Sequence, residues 1–268
     1  MSRNIACIIA RTNSTRLPKK VLREISGVTM IEYIIAKIKK TKLVNEIYLC
    51  TSTTDDDKIL LEIAVKNGIK GYAGSPESVI DRLIEVGEIE NADNVIRITG
   101  DNIFSDEKYI DLMIKYHIKN QAEYTRVENL PLGITSEVID LVSLKKCRKL
   151  IDPDESQYLM LYMFQPKLFK CQVLIPQNSH NRPELSFTVD TPADFEKVKK
   201  IISAYPNKDL DLNDILKLYN KNNKKLSYPD ETLKFPANLI FSFAAYRKEM
   251  EYRLNNSTKV YLNPNEYK

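Results

Sequence analysis

The 268-residue sequence predicts an α/β protein built on a mostly parallel β-sheet. Two observations carry this prediction. Short apolar runs of strand length alternate with amphipathic helical patterns through the first hundred residues. Each helical pattern therefore lies between two strands, which is the arrangement found in right-handed βαβ units.

The first half contains four predicted strands and four predicted helices. The strands cover residues 5–10, 47–50, 69–72 and 95–99. The helices cover residues 30–38, 55–66, 75–90 and 107–119. Apolar residues between Met30 and Ile38 recur at the 3.6-residue period of a buried helix face. Gly68 suits the left-handed residue that ends the second helix, and Pro76 suits the first position of the third.

The second half departs from this alternation. Its predicted strands cover residues 122–127, 136–141 and 185–189, and its predicted helices cover 144–150, 156–164, 193–204 and 212–219. A Lys/Asn-rich stretch at 217–225 precedes a last amphipathic helix at about 237–254. We interpret the segment beyond about 227 as an added helix that covers the body of the protein. A dedicated interaction element is the alternative.

The composition favours a protein that binds neither nucleic acid nor membranes. Forty basic residues face thirty-six acidic ones, and no block of five or six like charges forms a basic patch. The apolar run at 5–10 ends at Arg11, too short for a signal peptide, and no stretch approaches 18 apolar residues. Four cysteines without CxxC spacing indicate reduced thiols, and isolated His117 and His180 argue against a histidine-based zinc or triad site. We therefore expect a cytoplasmic protein.

Glycine is scarce, with 7 residues where average usage of roughly 7% would give about 19. This scarcity argues against a phosphate-binding loop made of glycine amides. The loop after the first strand instead carries four cations, Arg11, Arg16, Lys19 and Lys20, interleaved with hydroxyl side chains. Guanidinium and ammonium groups bind phosphate oxygens, so the loop suits a polyphosphate. An ordinary solvated loop is the alternative, but the position directly after the first strand favours a functional interpretation.

Two aspartates at predicted strand ends have no local structural role. Ser105 is predicted to cap the helix that begins near residue 106, which leaves Asp101 unexplained. Thr191 and Asp194 form the capping arrangement of a later helix, which leaves Asp190 unexplained. Ligands of open α/β sheets gather at the carboxyl ends of the strands. Two carboxylates facing a basic loop there predict a magnesium–nucleotide site, although each aspartate taken alone also fits a structural role.

Two further motifs have ordinary alternatives. Asp55-Asp56-Asp57 is similar to the Asp-x-Asp metal motif of sugar-nucleotide glycosyltransferases. Acidic residues are also preferred at a helix N-terminus, and that preference suffices to explain the three aspartates. Arg82 could reach a nucleotide from the start of its helix, or it could pair with Glu85 on the protein surface.

Seven segments, in order along residues 3–205, carry a resemblance to a known family. They are Ala10-Arg11, Ser14-Thr15-Arg16-Leu17-Pro18 with Lys20, Met30-Ile31-Glu32, Asp81-Arg82, Arg97-Ile98-Thr99-Gly100-Asp101, Ser136-Glu137-Val138 and Val189-Asp190-Thr191-Pro192-Ala193-Asp194. Together they resemble the CTP-dependent cytidylyltransferases that make CMP-activated sugar acids. The spore-coat-polysaccharide F-like proteins are the most similar subgroup, with the CMP-Kdo and acylneuraminate cytidylyltransferases as relatives.

The resemblance implies a fold and a domain organisation. The implied fold is a nucleotide-diphospho-sugar-transferase-like α/β/α sandwich with a mostly parallel sheet. Residues 1–226 would form one cytidylyltransferase-like domain, with a nucleotide half at about 1–130 and an acceptor and dimer half at about 131–226. Residues 227–268 would form a C-terminal helical extension, which the resemblance does not cover. A homodimer formed through the second half is implied by the same relatives.

The resemblance also assigns the site. Arg11, Arg16 and Lys20 would be catalytic cations that hold the CTP phosphates, and Asp101 and Asp190 would ligate Mg²⁺. The implied nucleotide-binding residues are Ala10, Arg11, Ser14, Arg16, Lys20, Thr51, Ser75, Arg82 and Gly100. The implied acceptor-binding residues are Glu137 and Gln157.

The implied reaction transfers CMP from CTP to an anionic acceptor and releases pyrophosphate. The acceptor would be a 2-keto sugar acid or a small phosphorylated metabolite, used in surface-polysaccharide or glycoconjugate biosynthesis. A glycosyltransferase of related fold that uses a nucleotide sugar is one alternative. A nucleotide-binding protein that has lost catalysis is the other.

The sequence departs from the family pattern at four places. Lys19 stands where many relatives have glycine, and Ser26-Gly27-Val28-Thr29 replaces most of a usual Gly-Gly-Lys-Pro turn. Glu155-Ser156-Gln157 replaces a frequent Arg-Glu-His, and Leu132-Gly133-Ile134-Thr135 replaces an Asp-Gly-Leu-Asp pattern. The last two departures belong to the acceptor half, so we expect the acceptor to be the part of the reaction that differs from the relatives.

Overall fold

Strands and helices alternate along the computed structural model, which describes residues 2–206, 209–219 and 242–267. The strands are β1 Asn4–Ile9, β2 Glu24–Ile25, β3 Val28–Thr29, β4 Glu46–Ser52, β5 Lys70–Gly74, β6 Asn94–Thr99, β7 Tyr124–Val127, β8 Glu137–Asp140, β9 Cys171–Ile175 and β10 Thr258–Tyr261. The α-helices are α1 Met30–Ile38, α2 Lys58–Lys66, α3 Val79–Ile89, α4 Glu107–Asn120, α5 Leu141–Arg148, α6 Leu159–Met163, α7 Pro192–Ser203, α8 Leu212–Lys217 and α9 Phe243–Asn255. Short 3-10 turns cover Lys20–Leu22, Asp55–Asp57 and Pro153–Tyr158.

Eight strands form one sheet in the order β10-β9-β7-β8-β6-β1-β4-β5. Strand β8 is antiparallel to both of its neighbours, and every other pairing in this sheet is parallel. The predicted mostly parallel sheet is therefore confirmed. Strands β2 and β3 form a separate two-stranded hairpin.

Helices cover both faces of the sheet because the strands alternate their buried side chains. Ala6 and Ile8 of β1 belong to one apolar cluster, together with side chains of α1, α2, α4, α7 and α8. Ile5 and Cys7 belong to the other, together with α3, α5 and α6. Tyr246 of α9 packs against that second cluster. The molecule is therefore an α/β/α sandwich, as predicted. All four cysteine side chains are buried and free.

Side-chain caps fix the starts of the helices that lead into the site. Thr191 and Asp194 form the predicted capping box of α7. Helix α4 is capped by Asp106 rather than by the predicted Ser105, because the Ser105 hydroxyl donates back to the carbonyl of Asn102. Helix α3 begins at Val79, later than predicted, with Ser78 as its cap. A short bend from Ser75 to Ser78 thus separates β5 from α3.

The second half was predicted less well than the first. Residues 185–189 are not a strand, since only Ser186 makes an isolated bridge, to Leu132. Leu185, Phe187 and Val189 are nevertheless buried, which explains the misleading apolar alternation. Strands β9 and β10 were missed. The predicted helix at 156–164 is a 3-10 turn followed by the short α6, and Leu141 begins α5 instead of ending a strand.

The C-terminal segment adds a strand as well as a helix. Residues 217–225 and 237–254, predicted as a polar stretch and a helix, lie partly outside the described residues, which contain α9. Strand β10 extends the sheet beside β9. The Tyr267 side chain is buried and donates to Asp106, and its ring lies 4.5 Å from that of His180. Among the helices of the described residues, none combines the length and the apolar character that crossing a bilayer requires.

Candidate active site

A cavity of about 500 Å³ lies where β1 and β6 end and the basic loop begins. Ten of the thirteen residues predicted for the site line it: Ala10, Arg11, Ser14, Arg16, Lys20, Arg82, Gly100, Asp101, Gln157 and Asp190. Thr51 is fully buried in β4, and Ser75 lies in the bend before α3, so neither lines this cavity. Glu137 lines a smaller cavity next to it.

Asp57 anchors the basic loop to the sheet. One carboxylate oxygen accepts from both the backbone N–H and the hydroxyl of Thr12, each at 2.7 Å. The other oxygen accepts from the hydroxyl of Ser52 at the end of β4. Burial opposes ionisation of Asp57, but the hydrogen bonds from Ser52 and Thr12 outweigh it and hold its pKa below the usual range. Sequence reasoning missed this role and treated the Asp55–Asp57 run only as a helix start or a metal motif.

Two aspartates and two cations converge across the cavity. The Lys20 ammonium lies 3.2 Å from a carboxylate oxygen of Asp101 and 2.9 Å from one of Asp190. Arg16 reaches the same Asp190 oxygen at 3.0 Å. Thr99 donates to the second oxygen of Asp101 at 2.6 Å. The basic loop, the end of β6 and the start of α7 therefore lie together at one edge of the sheet.

Among the described residues that line this cavity, Asp101 and Asp190 carry the two carboxylates that could bind a divalent cation. No group of three or more His, Cys, Asp and Glu side chains converges anywhere in residues 2–206, 209–219 and 242–267. Mg²⁺ is typically bound through one or two carboxylates plus the phosphates of a substrate. The carboxylates of Asp101 and Asp190 fit that requirement, because the space between them already holds the positive charge of the Lys20 ammonium.

Arg82 is buried against the cavity without a partner for its charge. Its side chain has no exposed surface, and neither terminal nitrogen has a hydrogen-bond partner. Gly74 makes room for it, since a Cβ there would lie 2.7 Å from the Cγ of Arg82. Glu85 bonds instead to Tyr72, so the surface pair considered from the sequence does not form. Burial lowers the pKa of Arg82, and an unpaired buried cation is costly, which points to an anionic ligand.

Backbone conformation accounts for two of the departures from the family pattern. Lys19 has φ +51°, in the left-handed region where glycine is relaxed. Ser26 and Gly27 have φ +52° and +80°, as required by a two-residue β2–β3 hairpin turn. Both departures thus keep the conformation that glycine favours while placing a side chain there. Lys19 itself is exposed and lies outside this lining, at a neighbouring cavity of about 550 Å³ that shares Arg11 and Ser14 with it.

Ser156 links the two halves of the chain at the cavity. Its buried hydroxyl accepts from the backbone N–H of Val79, the first residue of α3, at 2.6 Å. Its neighbour Gln157 lines the cavity, and its backbone carbonyl is 3.5 Å from Arg97. The altered Glu155-Ser156-Gln157 segment therefore adds a tertiary hydrogen bond to the start of the helix that carries Arg82, beside the Ser78 cap.

Fold and site together define an α/β protein with a cavity at one edge of its sheet that is lined by side-chain cations and two aspartates. The family model described as "Cytidylyltransferase" matches residues 5–224. The spore coat polysaccharide biosynthesis protein SpsF of Bacillus subtilis is 30% identical over 223 residues, covering 80% of this chain and 93% of that protein. The 3-deoxy-manno-octulosonate cytidylyltransferase of Chloroherpeton thalassium is 27% identical over 212 residues, covering 74% and 82% of the two chains.

A solved cytidylyltransferase structure is also similar to this chain. A cytidylyltransferase from Leptospira borgpetersenii superposes with a TM-score of 0.77 at 26% identity, covering 85% of this chain and all of the other. The chain belongs to the cytidylyltransferase family. It is a CTP-dependent nucleotidyltransferase.

Proposed function

We propose that this protein transfers CMP from Mg²⁺·CTP to a hydroxyl of an anionic acceptor and releases pyrophosphate. The observation that carries the proposal is the convergence of Lys20, Asp101 and Asp190 at one end of a cavity that also exposes a row of cations. Cations there suit the phosphates of CTP, and the paired aspartates suit the divalent cation that accompanies it.

The proposed role of each residue follows from its position in the cavity. Arg11 and Arg16 lie on the loop and bind the β- and γ-phosphates, with Ala10 and Ser14 beside them. The buried Arg82 gains its missing partner when a phosphate enters. Asp101 and Asp190 would hold Mg²⁺, which when bound neutralises charge on the phosphates. Lys20 lies next to both aspartates and so stabilises the charge that develops at the α-phosphate.

In the reaction the acceptor hydroxyl loses its proton to solvent water, and its oxygen bonds to the α-phosphorus. The bond from the α-phosphorus to the bridging oxygen breaks, and pyrophosphate leaves toward the loop cations. The chain does no covalent chemistry of its own, so positioning and charge neutralisation account for the rate, as in phosphoryl transfer generally.

The acceptor is an anionic metabolite, either a 2-keto sugar acid such as 3-deoxy-manno-octulosonate or a small phosphorylated compound. Two relatives support this range, since one is a spore coat polysaccharide protein and the other a cytidylyltransferase for 3-deoxy-manno-octulosonate. We place the product in surface-polysaccharide or glycoconjugate biosynthesis, and the protein in the cytoplasm as a homodimer.

The test is pyrophosphate release with each of the four nucleoside triphosphates, across a panel of sugar acids and sugar phosphates. We expect release with CTP and one acceptor class, and its loss in Asp101→Asn and Asp190→Asn. Asp56→Asn is the matched control, because Asp56 lies outside the cavity lining. Activity confined to another nucleotide would contradict the cytidylyl assignment. Loss in Asp56→Asn alone would favour a glycosyltransferase. Tight Mg²⁺·CTP binding with no release for any acceptor would favour a protein without catalysis.

A further inference from the structure

The two aspartates of the candidate metal site lie on separate segments of the chain. Asp101 belongs to the turn that follows β6, and Asp190 ends the segment of residues 185–190 that leads into α7. Mg²⁺ requires oxygen ligands in a nearly octahedral arrangement at about 2.0–2.1 Å, so two carboxylates that share one ion need a fixed separation. The contacts between the two segments determine whether that separation is fixed.

Polar contacts join the two aspartate segments. The Lys20 ammonium pairs with both aspartates, but it occupies the space that a divalent cation would take. The backbone N–H of Val189 donates to the carbonyl of Asp101 at 3.0 Å. The hydroxyl of Thr188 donates to the Oδ1 atom of Asn102 at 3.1 Å. This last bond therefore joins the segments through their side chains and leaves the space between the carboxylates free.

The other end of the Asn102 side chain holds a third segment. Its Nδ2 donates to the backbone carbonyl of Thr135 at 3.3 Å. A carbonyl only accepts hydrogen bonds, so the amide nitrogen must face Thr135 and the amide oxygen must face the hydroxyl of Thr188. The backbone of Asn102 is also held, because its N–H donates to the carbonyl of Thr99 and its carbonyl accepts from the hydroxyl of Ser105. Asparagine thus supplies one donor and one acceptor in the orientation that the two segments require.

The segments on either side of Asn102 contact each other as well. The N–H of Leu132 donates to the carbonyl of Leu185 at 2.9 Å, and the carbonyl of Leu132 accepts from the N–H of Phe187 at 2.6 Å. A Cβ at Gly133 would lie 2.6 Å from the carbonyl carbon of Phe187, so the two backbones touch. The three segments therefore form a closed set of contacts with Asn102 at one corner. Loss of a side-chain bond at that corner should loosen the aspartates and leave the other contacts in place.

We propose that Asn102 is a positioning residue for the metal site and that it sets the separation of the Asp101 and Asp190 carboxylates by holding Thr188. The proposal rests on the proposed Mg²⁺·CTP chemistry. Asn102 does not line the nucleotide cavity, so it acts through its neighbours and without touching the nucleotide. Mg²⁺ tolerates little change in ligand geometry, whereas Ca²⁺ binds oxygen ligands flexibly at about 2.3–2.6 Å. A loosened aspartate pair should therefore lose affinity for Mg²⁺ more than for Ca²⁺.

Thr188→Val tests the proposal, because valine has nearly the shape of threonine and lacks the hydroxyl. Thr41→Val is the matched control, since Thr41 is also half-buried and its hydroxyl donates to the backbone carbonyl of Ile38 just after α1. Calorimetry gives the Kd of Mg²⁺·CTP, of Ca²⁺·CTP and of CTP with a chelator, none of which needs turnover. In Thr188→Val we expect these Kd values to rise about tenfold, to rise about twofold and to stay unchanged, in that order. Thr188→Ser and Thr41→Val should both resemble the wild type.

Asn102→Ala is the second test, because it removes both side-chain bonds of this residue. We expect the same order of changes, with a larger rise in the Kd of Mg²⁺·CTP. An equal rise in all three Kd values, or unchanged Kd values with or without a lower Tm, would show a merely structural role and overturn the proposal. A wild type that binds CTP equally well with and without Mg²⁺ would also overturn it. Absence of pyrophosphate release beside the expected Kd values would count only against the proposed transfer reaction.

Discussion

The two sides of the active-site edge present their cations in opposite ways. On the nucleotide side, Arg11 and Arg16 belong to a loop, and the Arg16 side chain is 66% exposed. On the acceptor side, Arg97 and Arg126 belong to strands, pair with glutamates and are mostly shielded. Loop cations can follow a flexible triphosphate and release pyrophosphate afterwards. Strand cations cannot move, so they suit recognition of one group in one position. The comparison assigns binding strength to the first side and selectivity to the second.

The strongest test of this division is Lys20→Met. Among the described residues, Lys20 alone pairs with both Asp101 and Asp190, so its removal also leaves two carboxylates close to each other. We expect kcat to fall about 10²- to 10³-fold, the loss typical of one charge-stabilising donor, when pyrophosphate release is measured in single turnovers.

Lys19→Met is the control for that experiment. It removes the charge of the adjacent residue, whose side chain is not part of the lining of the nucleotide cavity, and it should leave kcat within about twofold. Similar losses in the two variants would mean that the net charge of the loop matters and the position of Lys20 does not.

Arg82→Met should weaken CTP binding and at the same time spare or increase stability. An unpaired buried guanidinium opposes folding, whereas the same group paired with a phosphate contributes to binding. We expect the Kd for CTP, measured by calorimetry, to rise about 10- to 100-fold. The Tm without nucleotide should be equal to or higher than that of the wild type, and the rise in Tm caused by CTP should shrink. A large drop in the Tm of the free protein would show that Arg82 is structural.

Asp57→Asn tests whether the loop depends on its anchor. An amide keeps one acceptor oxygen where the carboxylate offers two, so the bonds from either Thr12 or Ser52 are lost. We expect a loss of about 1–3 kcal/mol in the free energy of unfolding and an increase of roughly tenfold in the KM for CTP.

The pH dependence of that loss has a definite sign. Because the pKa of Asp57 is lowered in the folded protein, its contribution is complete above the unfolded pKa of about 3.9 and is lost as the pH falls from there through the lower folded pKa. The difference between wild type and Asp57→Asn in urea unfolding should therefore shrink below about pH 4. A difference that stays constant with pH would show that the carboxylate charge is not what anchors the loop.

The smallest expected effect lies on the acceptor side, in Arg253→Met. Arg253 of α9 is buried and donates to the carbonyl of Leu161 in α6 at 2.6 Å. Met160 of helix α6 lines the smaller cavity next to the nucleotide cavity. Phe164 follows directly after this helix, and its ring lies under Arg126. We expect the acceptor KM to rise about two- to tenfold with the KM for CTP unchanged. Arg247→Met, on the same helix but over the ring of Phe243, is the control. A rise in the KM for CTP would mean that the C-terminal segment acts on the whole site.

Sequence reasoning reached the nucleotide side more fully than the acceptor side. Asp101 was identified because it follows the end of β6 without a local role. Asp190 was identified in the same way from a strand that does not form, and it reaches this edge because the Val189 N–H donates to the carbonyl of Asp101 at 3.0 Å. Thr51 was predicted to line the cavity, but it is buried in β4. The face of the sheet on which a strand's side chain lies cannot be predicted until the register of the strand is known. The row of Arg97, Glu137 and Arg126 depends on the register of three strands that are distant in sequence. In each strand the charged residue stands two positions from a buried apolar one, after Val95 and Tyr124 but before Ile139, and this available signal was not used.

The C-terminal segment shows a second limit of local patterns. The run Cys171–Ile175 is apolar enough for a strand, but its second neighbour, β10, lies more than eighty residues further along the chain. The hydrophobic periodicity of neither segment predicts that β9 and β10 pair. The helix α9 was predicted because its amphipathic pattern is local, whereas Tyr267 filling a space beside Asp106 and His180 is a tertiary event.

The placement of β10 has a practical consequence for how this chain can be shortened. A chain cut near residue 224, where the family match ends, would keep every residue proposed here to contact CTP. It would also expose the free hydrogen-bonding edge of β9 and leave an opening where Tyr267 packs. Unprotected strand edges recruit further strands, so such a chain should self-associate through β9. Strand β10 therefore covers the edge of β9 and becomes the outer edge of the sheet itself, where the charged Lys259 in a short strand disfavours pairing with a further strand.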